Sequence, residues 1–297
     1  MTYLRIRWWL NEFDGYVSFS GGKDSTVLLH IARQVDSNIP AVFVDTGLEY
    51  PEVREFALSQ ENVIRLKPEM NFRKVIETYG YPLISKEVAK RVYEYHNAET
   101  KNRLKESYAY LEFNGLLKKP DGSRSQYNKE KYKYLLDSNF LISHKCCDVM
   151  KKKPVKQYED QTGRKPIIAT MAYESNTRRI AWLKSGCNAY DSKHPKSQPM
   201  SFWTEQDVLQ YIKENNLSYA SVYGDIVEDE NGKLKTTGCN RTGCVFCAFG
   251  CHLEKEPNRF QRLKQTHPKL WEYCMKDWDS GGLGMKNVLD YINVKTE

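Results

Sequence analysis

Ser18-Phe19-Ser20-Gly21-Gly22-Lys23-Asp24-Ser25-Thr26 carries the residue types of an anion site. An apolar strand-like run ends, two glycines let the backbone turn tightly, and a helix begins. The first N–H groups of a helix lack intrahelical partners, and its dipole puts a positive end there, so a phosphate suits the place. Ser20, Ser25 and Thr26 add hydroxyl donors and Lys23 adds a cation. The GxxxxGK[ST] spacing of a Walker loop is absent. An ordinary strand–turn–helix corner needs the glycines; it does not need Lys23, Asp24 and Ser25 beside them.

The cysteines are the second signal. They stand at 146, 147, 187, 239, 244, 247, 251 and 274, and six of the eight fall in two clusters. Clustering of this kind points to metal more than to disulfides. Cys239, Cys244, Cys247 and Cys251 lie within thirteen residues and would make a compact knuckle. A sulfur-only site suits zinc as well as an iron–sulfur cluster. The knuckle leaves the adjacent pair Cys146-Cys147 unexplained. Cys187 and Cys274 read as small buried hydrophobes.

The elements that must position these groups alternate. Tyr16–Ser20, Ala41–Asp45, Asn62–Leu66 and Pro166–Thr170 are strand-like, and helical patterns separate the early ones, which implies βαβ units and a parallel sheet. Asp24-Ser25 would cap a helix starting near Thr26, and Thr204 would cap an amphipathic helix within 202–212. Residues 91–135 differ: they hold ten Lys/Arg, six Asp/Glu and seven of the twenty tyrosines, and read as a helical insertion. A solvated helical face with tyrosines packed beneath explains it most simply; a lid or polynucleotide contact is the sharper reading.

Composition sets outer bounds. The chain has 297 residues, 40% hydrophobic and 28% charged, which excludes wholesale disorder and low complexity. No apolar run is long enough to span a membrane, and the first residues lack the pattern of a signal peptide, so a cytoplasmic location is expected. A net charge of +7 is compatible with anionic ligands and too small to argue alone for nucleic acid.

SGGKDS, followed by Ala41 to Gly47 (AVFVDTG), resembles the pyrophosphate-loop enzymes of the adenine nucleotide α-hydrolase-like superfamily, and Asp45 to Phe56 (DTGLEYPEVREF) resembles the phosphoadenosine phosphosulfate reductase branch. The resemblance implies a Rossmann-like α/β sheet flanked by helices, with nucleotide across the carboxyl ends of the strands. It implies phosphate contacts from Ser18, Ser20, Gly21, Gly22, Lys23, Asp24 and Ser25, and adenosine near Asp45 and Thr46. The pair Cys146-Cys147 with the distant Cys244-x-x-Cys247 is similar to the [4Fe-4S] site of assimilatory adenylylsulfate reductases. That makes Cys146, Cys147, Cys244 and Cys247 the implied ligands, with Cys239 and Cys251 as substitutes and zinc as the alternative metal. Lys151, four residues beyond Cys147, stands where those reductases place a lysine between cluster and substrate. Arg178 and Arg179, ending a stretch that follows a strand, match paired arginines that meet the substrate's anion; two surface arginines on a helix fit equally. The expected organisation is a nucleotide-binding α/β domain over 1–200, carrying the 91–135 insertion, and a Cys-rich helical segment over 201–297 that completes the metal site.

An intact SGGKDS with lysine is typical of members that split ATP into AMP and pyrophosphate, with magnesium as a candidate companion ion. The implied reaction is therefore ATP-dependent activation of an acceptor for sulfur transfer, with tRNA or DNA bases as candidate acceptors and Lys23, Asp24, Lys151, Arg178 and Arg179 as the acting residues. Reduction of adenylylsulfate or its 3′-phosphate by a thiol reductant protein is the alternative. That reaction uses a cysteine from a Glu-Cys-Gly-(Ile/Leu)-His tail, which the terminal NVLDYINVKTE does not match. A non-catalytic nucleotide-binding redox sensor on the same fold is the third reading, against which the retained Lys23 and Asp24 count. A sulfur donor and a homodimeric partner complete the expectations.

Overall fold

The computed structural model describes residues 1–297. The chain opens with helix α1 (Thr2–Glu12), β1 (Gly15–Ser18), α2 (Lys23–Val35), β2 (Ala41–Val44), α3 (Pro51–Ser59) and β3 (Val63–Leu66). It continues through α4 (Phe72–Tyr79), β4 (Leu83–Ile84), α5 (Lys86–Thr100) and α6 (Tyr108–Phe113). After a π-helical stretch at Asp148–Lys152 come α7 (Lys153–Thr162), β5 (Lys165–Ile168), α8 (Asn176–Ser185), β6 (Asn188–Ala189), β7 (Lys196–Ser197), α9 (Glu205–Glu214), β8 (Ile226–Glu228) and β9 (Leu234–Thr236). The last elements are β10 (Ala248–Phe249), α10 (Arg259–Thr266), α11 (Pro268–Met275) and α12 (Met285–Tyr291).

Two compact units result. One joins Met1–Pro68 to Lys152–Cys244, and the other joins Glu69–Lys151 to Val245–Glu297. The divisions thus fall at 68, 151 and 244, where a cut at residue 200 was expected.

The first unit holds a six-stranded sheet in the order β3-β2-β1-β5-β7-β6. All its pairings are parallel except β6 with β7. Gly15, Tyr16 and Val17 of central β1 are buried, as a parallel strand covered on both faces requires. One face is covered by α2, whose Val27, Leu28, Ile31 and Ala32 are buried with Phe19, Phe43, Ile167, Val208 and Ile212 in one core cluster. Each large side chain so buried contributes about 1.5–3 kcal/mol, which fixes α2, and the loop before it, against the strand ends. Tyr158 of α7 closes the other face edge-on against Tyr16.

The sheet strands appear where alternation placed them, each one residue shorter, with β1 and β5 starting one residue earlier. Helix α2 starts earlier than expected. Gly22 is its N-cap, and the first helical bond runs from Thr26 N to Gly22 O at 2.9 Å. Asp24 and Ser25 therefore sit inside the first turn and do not cap it. Thr204 does cap α9: it accepts from Asp207 N, and the Asp207 carboxylate accepts from Thr204 N at 2.7 Å.

In the second unit β4 and β10 pair in parallel, Leu83 with Ala248 and Ile84 with Phe249. The 91–135 stretch is only partly helical: α5 and α6 are joined to 3₁₀ turns at Leu104–Glu106 and Glu130–Asp137. Glu112, 1% exposed, is held by Arg91 Nε at 2.9 Å and Lys129 Nζ at 3.1 Å. Tyr95 packs against Tyr110 and Phe113, while Tyr108, Tyr127 and Tyr134 are exposed. No helix of the chain is long and apolar enough to cross a membrane.

Candidate functional site

The loop between β1 and α2 is shaped by its own hydroxyls. Ser20 Oγ and Ser25 Oγ lie 3.0 Å apart, Ser25 Oγ receives Ser20 N at 3.2 Å, and it donates to Gly22 O at 2.9 Å. Gly21 turns the chain at φ +71°, and a Cβ there would meet Val53 O at 2.7 Å. No other residue fits that position without strain.

This loop forms one wall of a cavity of about 270 Å³ lined by Ser20, Gly22, Lys23 and Asp24, by Met171, Tyr173 and Glu174 after β5, by Glu205 of α9, and by Tyr223 and residues 240–243. All belong to the first unit. Lys23 is buried; its Nζ donates to Glu205 Oε1 at 2.5 Å and to Asn240 O at 2.7 Å, and lies over the Tyr223 ring. Tyr223 Oη meets Thr242 Oγ1 at 2.6 Å, and burial pushes the phenol up to about 12. Arg241 pairs with Glu174 at 2.9 Å, and Arg178 pairs with the same carboxylate. Asp24 Oδ1 is buried without a hydrogen-bond partner. Burial raises the Asp24 carboxyl, Lys23 draws it down and Glu205 raises it again, leaving it above the usual carboxylate range. The cavity thus joins the N-terminal loop of a helix and two cations, Lys23 and Arg241, to three carboxylates, Asp24, Glu174 and Glu205, of which Glu205 and Glu174 pair with the cations.

Of the loop residues expected at phosphate, Ser20, Gly22, Lys23 and Asp24 line the cavity, while Ser18 ends β1, Gly21 makes the turn against Val53 and Ser25 ties the loop to Gly22 O; none of these three lines it. Asp45 and Thr46 follow β2 but do not line it. Asp45 is buried and held by Arg54 Nε at 3.0 Å and by Arg65 Nε at 2.7 Å; Thr46 Oγ1 donates to Glu49 Oε1 at 2.7 Å. Arg178 and Arg179 both sit on the exposed helix α8, and of the two only Arg178 bears on the cavity's charges. Glu205, Tyr223, Asn240 and Arg241 line the site without having been singled out in the sequence.

Cys146 and Cys147 belong to the second unit, with their Sγ atoms 3.9 Å apart just before the π-helical stretch. The hydrogen bond with Cys146 brings the Cys147 thiol down to about 6; burial opposes this, and Lys86 and Lys151 assist it. Adjacent sulfurs, one of them the readily ionised Cys147, fit a metal or cluster. Cys251 does not fit: it is 1% exposed, its Sγ donates to Ala248 O at 3.1 Å, and burial pushes its thiol up to about 12. No three His, Cys, Asp or Glu side chains are gathered in metal-holding geometry.

The model of the phosphoadenosine phosphosulfate reductase domain matches residues 15–112 and 92–249. The chain belongs to the phosphoadenosine phosphosulfate reductase family. An adenosine 5′-phosphosulfate reductase of Lysinibacillus sphaericus is 26% identical over 249 residues, covering 82% of this chain and 77% of that one. Two uncharacterized proteins of Methanocaldococcus jannaschii are 23% and 26% identical, each over 86% of this chain. This family member spans only 39% and 45% of their lengths. A crystal structure of phosphoadenylyl-sulfate reductase from Candida auris, in a phosphate complex, aligns at 14% identity and TM-score 0.40, over 78% of this chain and 89% of that one.

Proposed function

We propose that the chain is an enzyme of sulfur metabolism that binds an adenine nucleotide with its phosphate end in the Lys23 cavity and uses it to activate an acceptor for sulfur transfer. The observation that carries this reading is Lys23 itself, an almost buried ammonium presented into a polar cavity from the first turn of α2. Such a cation matches the β,γ-phosphates of ATP better than a nucleotide that ends at a sulfated α-phosphate. In the proposed reaction an acceptor oxygen attacks the α-phosphorus and pyrophosphate leaves with its charge on Lys23, Arg241 and the α2 N-terminus. AMP is then the leaving group when a sulfur nucleophile attacks the activated carbon. Asp24 Oδ1 would accept from the ligand or hold a magnesium-bound water. Cys146 and Cys147, with Cys244 and Cys247, would hold an iron–sulfur cluster, which supplies thiophilic iron for holding sulfur. The sulfur comes from a donor protein; a base in tRNA or DNA is the proposed acceptor class.

The Lysinibacillus relative supports a second reading, reduction of adenylylsulfate or its 3′-phosphate. There a thiolate attacks the sulfonyl sulfur, the S–O bond to the nucleotide breaks with AMP or its 3′-phosphate leaving, and a thiol reductant releases sulfite from the enzyme. Anaerobic assays separate the two. Exchange of labelled pyrophosphate into ATP supports the first; sulfite release from adenylylsulfate with dithiothreitol, without exchange, overturns it in favour of the second.

A further inference from the structure

The cations around the cavity are already neutralised, and the two carboxylates that do this differ in kind. Glu174 is built in: its side chain is 10% exposed, it accepts from Met171 N at 3.1 Å, and it holds both Arg178 and Arg241. Glu205 is 43% exposed on its side chain and reaches from the first residue of α9 to Lys23, the first residue of α2. Capping does not explain it, because Thr204 and Asp207 cap α9 between themselves. Lys23 does explain it. A lysine side chain only 6% exposed calls for a counter-ion, and Glu205 supplies one at 2.5 Å. Its Oε1 stands 2.5 Å from Nζ in the wall of the cavity.

We infer that Glu205 is a displaceable stand-in for the ligand's anion, a specificity-determining residue that surrenders Lys23 when a phosphate end enters. This rests on the phosphate-end reading of the cavity. Ligand affinity then carries the cost of breaking the Lys23–Glu205 pair, so only a strongly anionic group gains the site. The exposure of Glu205 lets it turn to water once displaced, whereas Glu174 has no such exit. Asp24, which also faces Lys23, stays in place as the local acidic group.

The test is calorimetric titration of the full chain with inorganic pyrophosphate, for wild type, Glu205→Gln, Lys23→Ala and the double variant, with Glu205→Ala as a second form of the first change. Glu205→Gln is expected to bind pyrophosphate roughly 3- to 10-fold tighter, and the gain is expected to vanish in the Lys23→Ala background. An unchanged or weaker affinity in folded Glu205→Gln and Glu205→Ala overturns the inference. A gain that persists without Lys23 also overturns it, since that would be general charge repulsion. If no form takes up pyrophosphate at millimolar concentration while all melt cooperatively, the phosphate reading of the cavity falls, and the inference falls with it.

Discussion

Ser20 and Ser25 meet through their hydroxyl oxygens at 3.0 Å, one on each side of the glycine turn. Ser25 Oγ also takes Ser20 N and gives to Gly22 O, so one hydroxyl ties both ends of the loop. Ser25→Ala is expected to destabilise the chain by about 1–2 kcal/mol, because the part-buried bonds of the buried Ser25 hydroxyl to Ser20 N and Gly22 O are lost. Pyrophosphate affinity should fall roughly 10-fold as the loop loosens. Calorimetry together with a denaturant titration checks both; an unchanged affinity would show that the glycines alone set the loop.

Lys23→Ala should cut nucleotide turnover sharply while leaving the fold. Its ammonium contacts Glu205 and the Asn240 carbonyl, and Glu205 is exposed enough to be solvated once the lysine is gone. The expected loss is about 10²–10³-fold in ATP–pyrophosphate exchange, the scale for removing one charge-stabilising donor, with an unchanged circular dichroism spectrum. Exchange at the wild-type rate in the variant would sink the role given to this lysine.

The pairing of Asp45 with Arg54 and Arg65 sets an acid limit on stability. Burial alone would raise the Asp45 carboxyl; the hydrogen bonds from the two arginines outweigh it and hold the carboxyl below its ordinary value. A depressed folded pKa stabilises the fold above the unfolded value, near 4, and the contribution is lost as pH falls through the lower folded value. Asp45→Asn is therefore expected to lose about 1–3 kcal/mol at pH 7, and the gap to wild type should narrow as the pH falls from the unfolded value through the lower folded one. Urea unfolding at a series of pH values checks this, and a gap independent of pH would contradict it.

Local chemistry explains what the sequence made legible. The loop could be read because its strand end, glycines and lysine are contiguous, and the Thr204 cap because its partner Asp207 is three residues on. Glu205 could not be read, since its partner Lys23 lies 182 positions away and a glutamate in a first helical turn is ordinary by itself. The Asn240 carbonyl carries no side-chain signal at all. The two-unit division was hidden for the same reason: β4 and β10 are two-residue strands whose pairing joins Leu83 to Ala248. In α8 the paired arginines were visible, but only the structure separates Arg178, bound to Glu174, from Arg179.

The cysteines divide by environment, and so should their serine variants. Cys146 and Cys147 present adjacent sulfurs, and the Cys146 hydrogen bond, assisted by Lys86 and Lys151, favours the Cys147 thiolate that iron or zinc requires. Cys251 is enclosed, and its Sγ is already engaged with the Ala248 carbonyl. After anaerobic purification, Cys146→Ser and Cys147→Ser are expected to lose most bound iron and acid-labile sulfide, as are Cys244→Ser and Cys247→Ser, while Cys251→Ser keeps them. Ligands that come from segments about 100 residues apart restrict the unfolded chain when the metal binds, so metal loss should also speed proteolysis beyond residue 200. Iron analysis, the visible spectrum and limited proteolysis read the three effects separately. If Cys146→Ser and Cys147→Ser retain full metal while Cys239→Ser and Cys251→Ser lose it, the metal sits in the local 239–251 knuckle, and Cys251 must rotate away from Ala248 O to reach it.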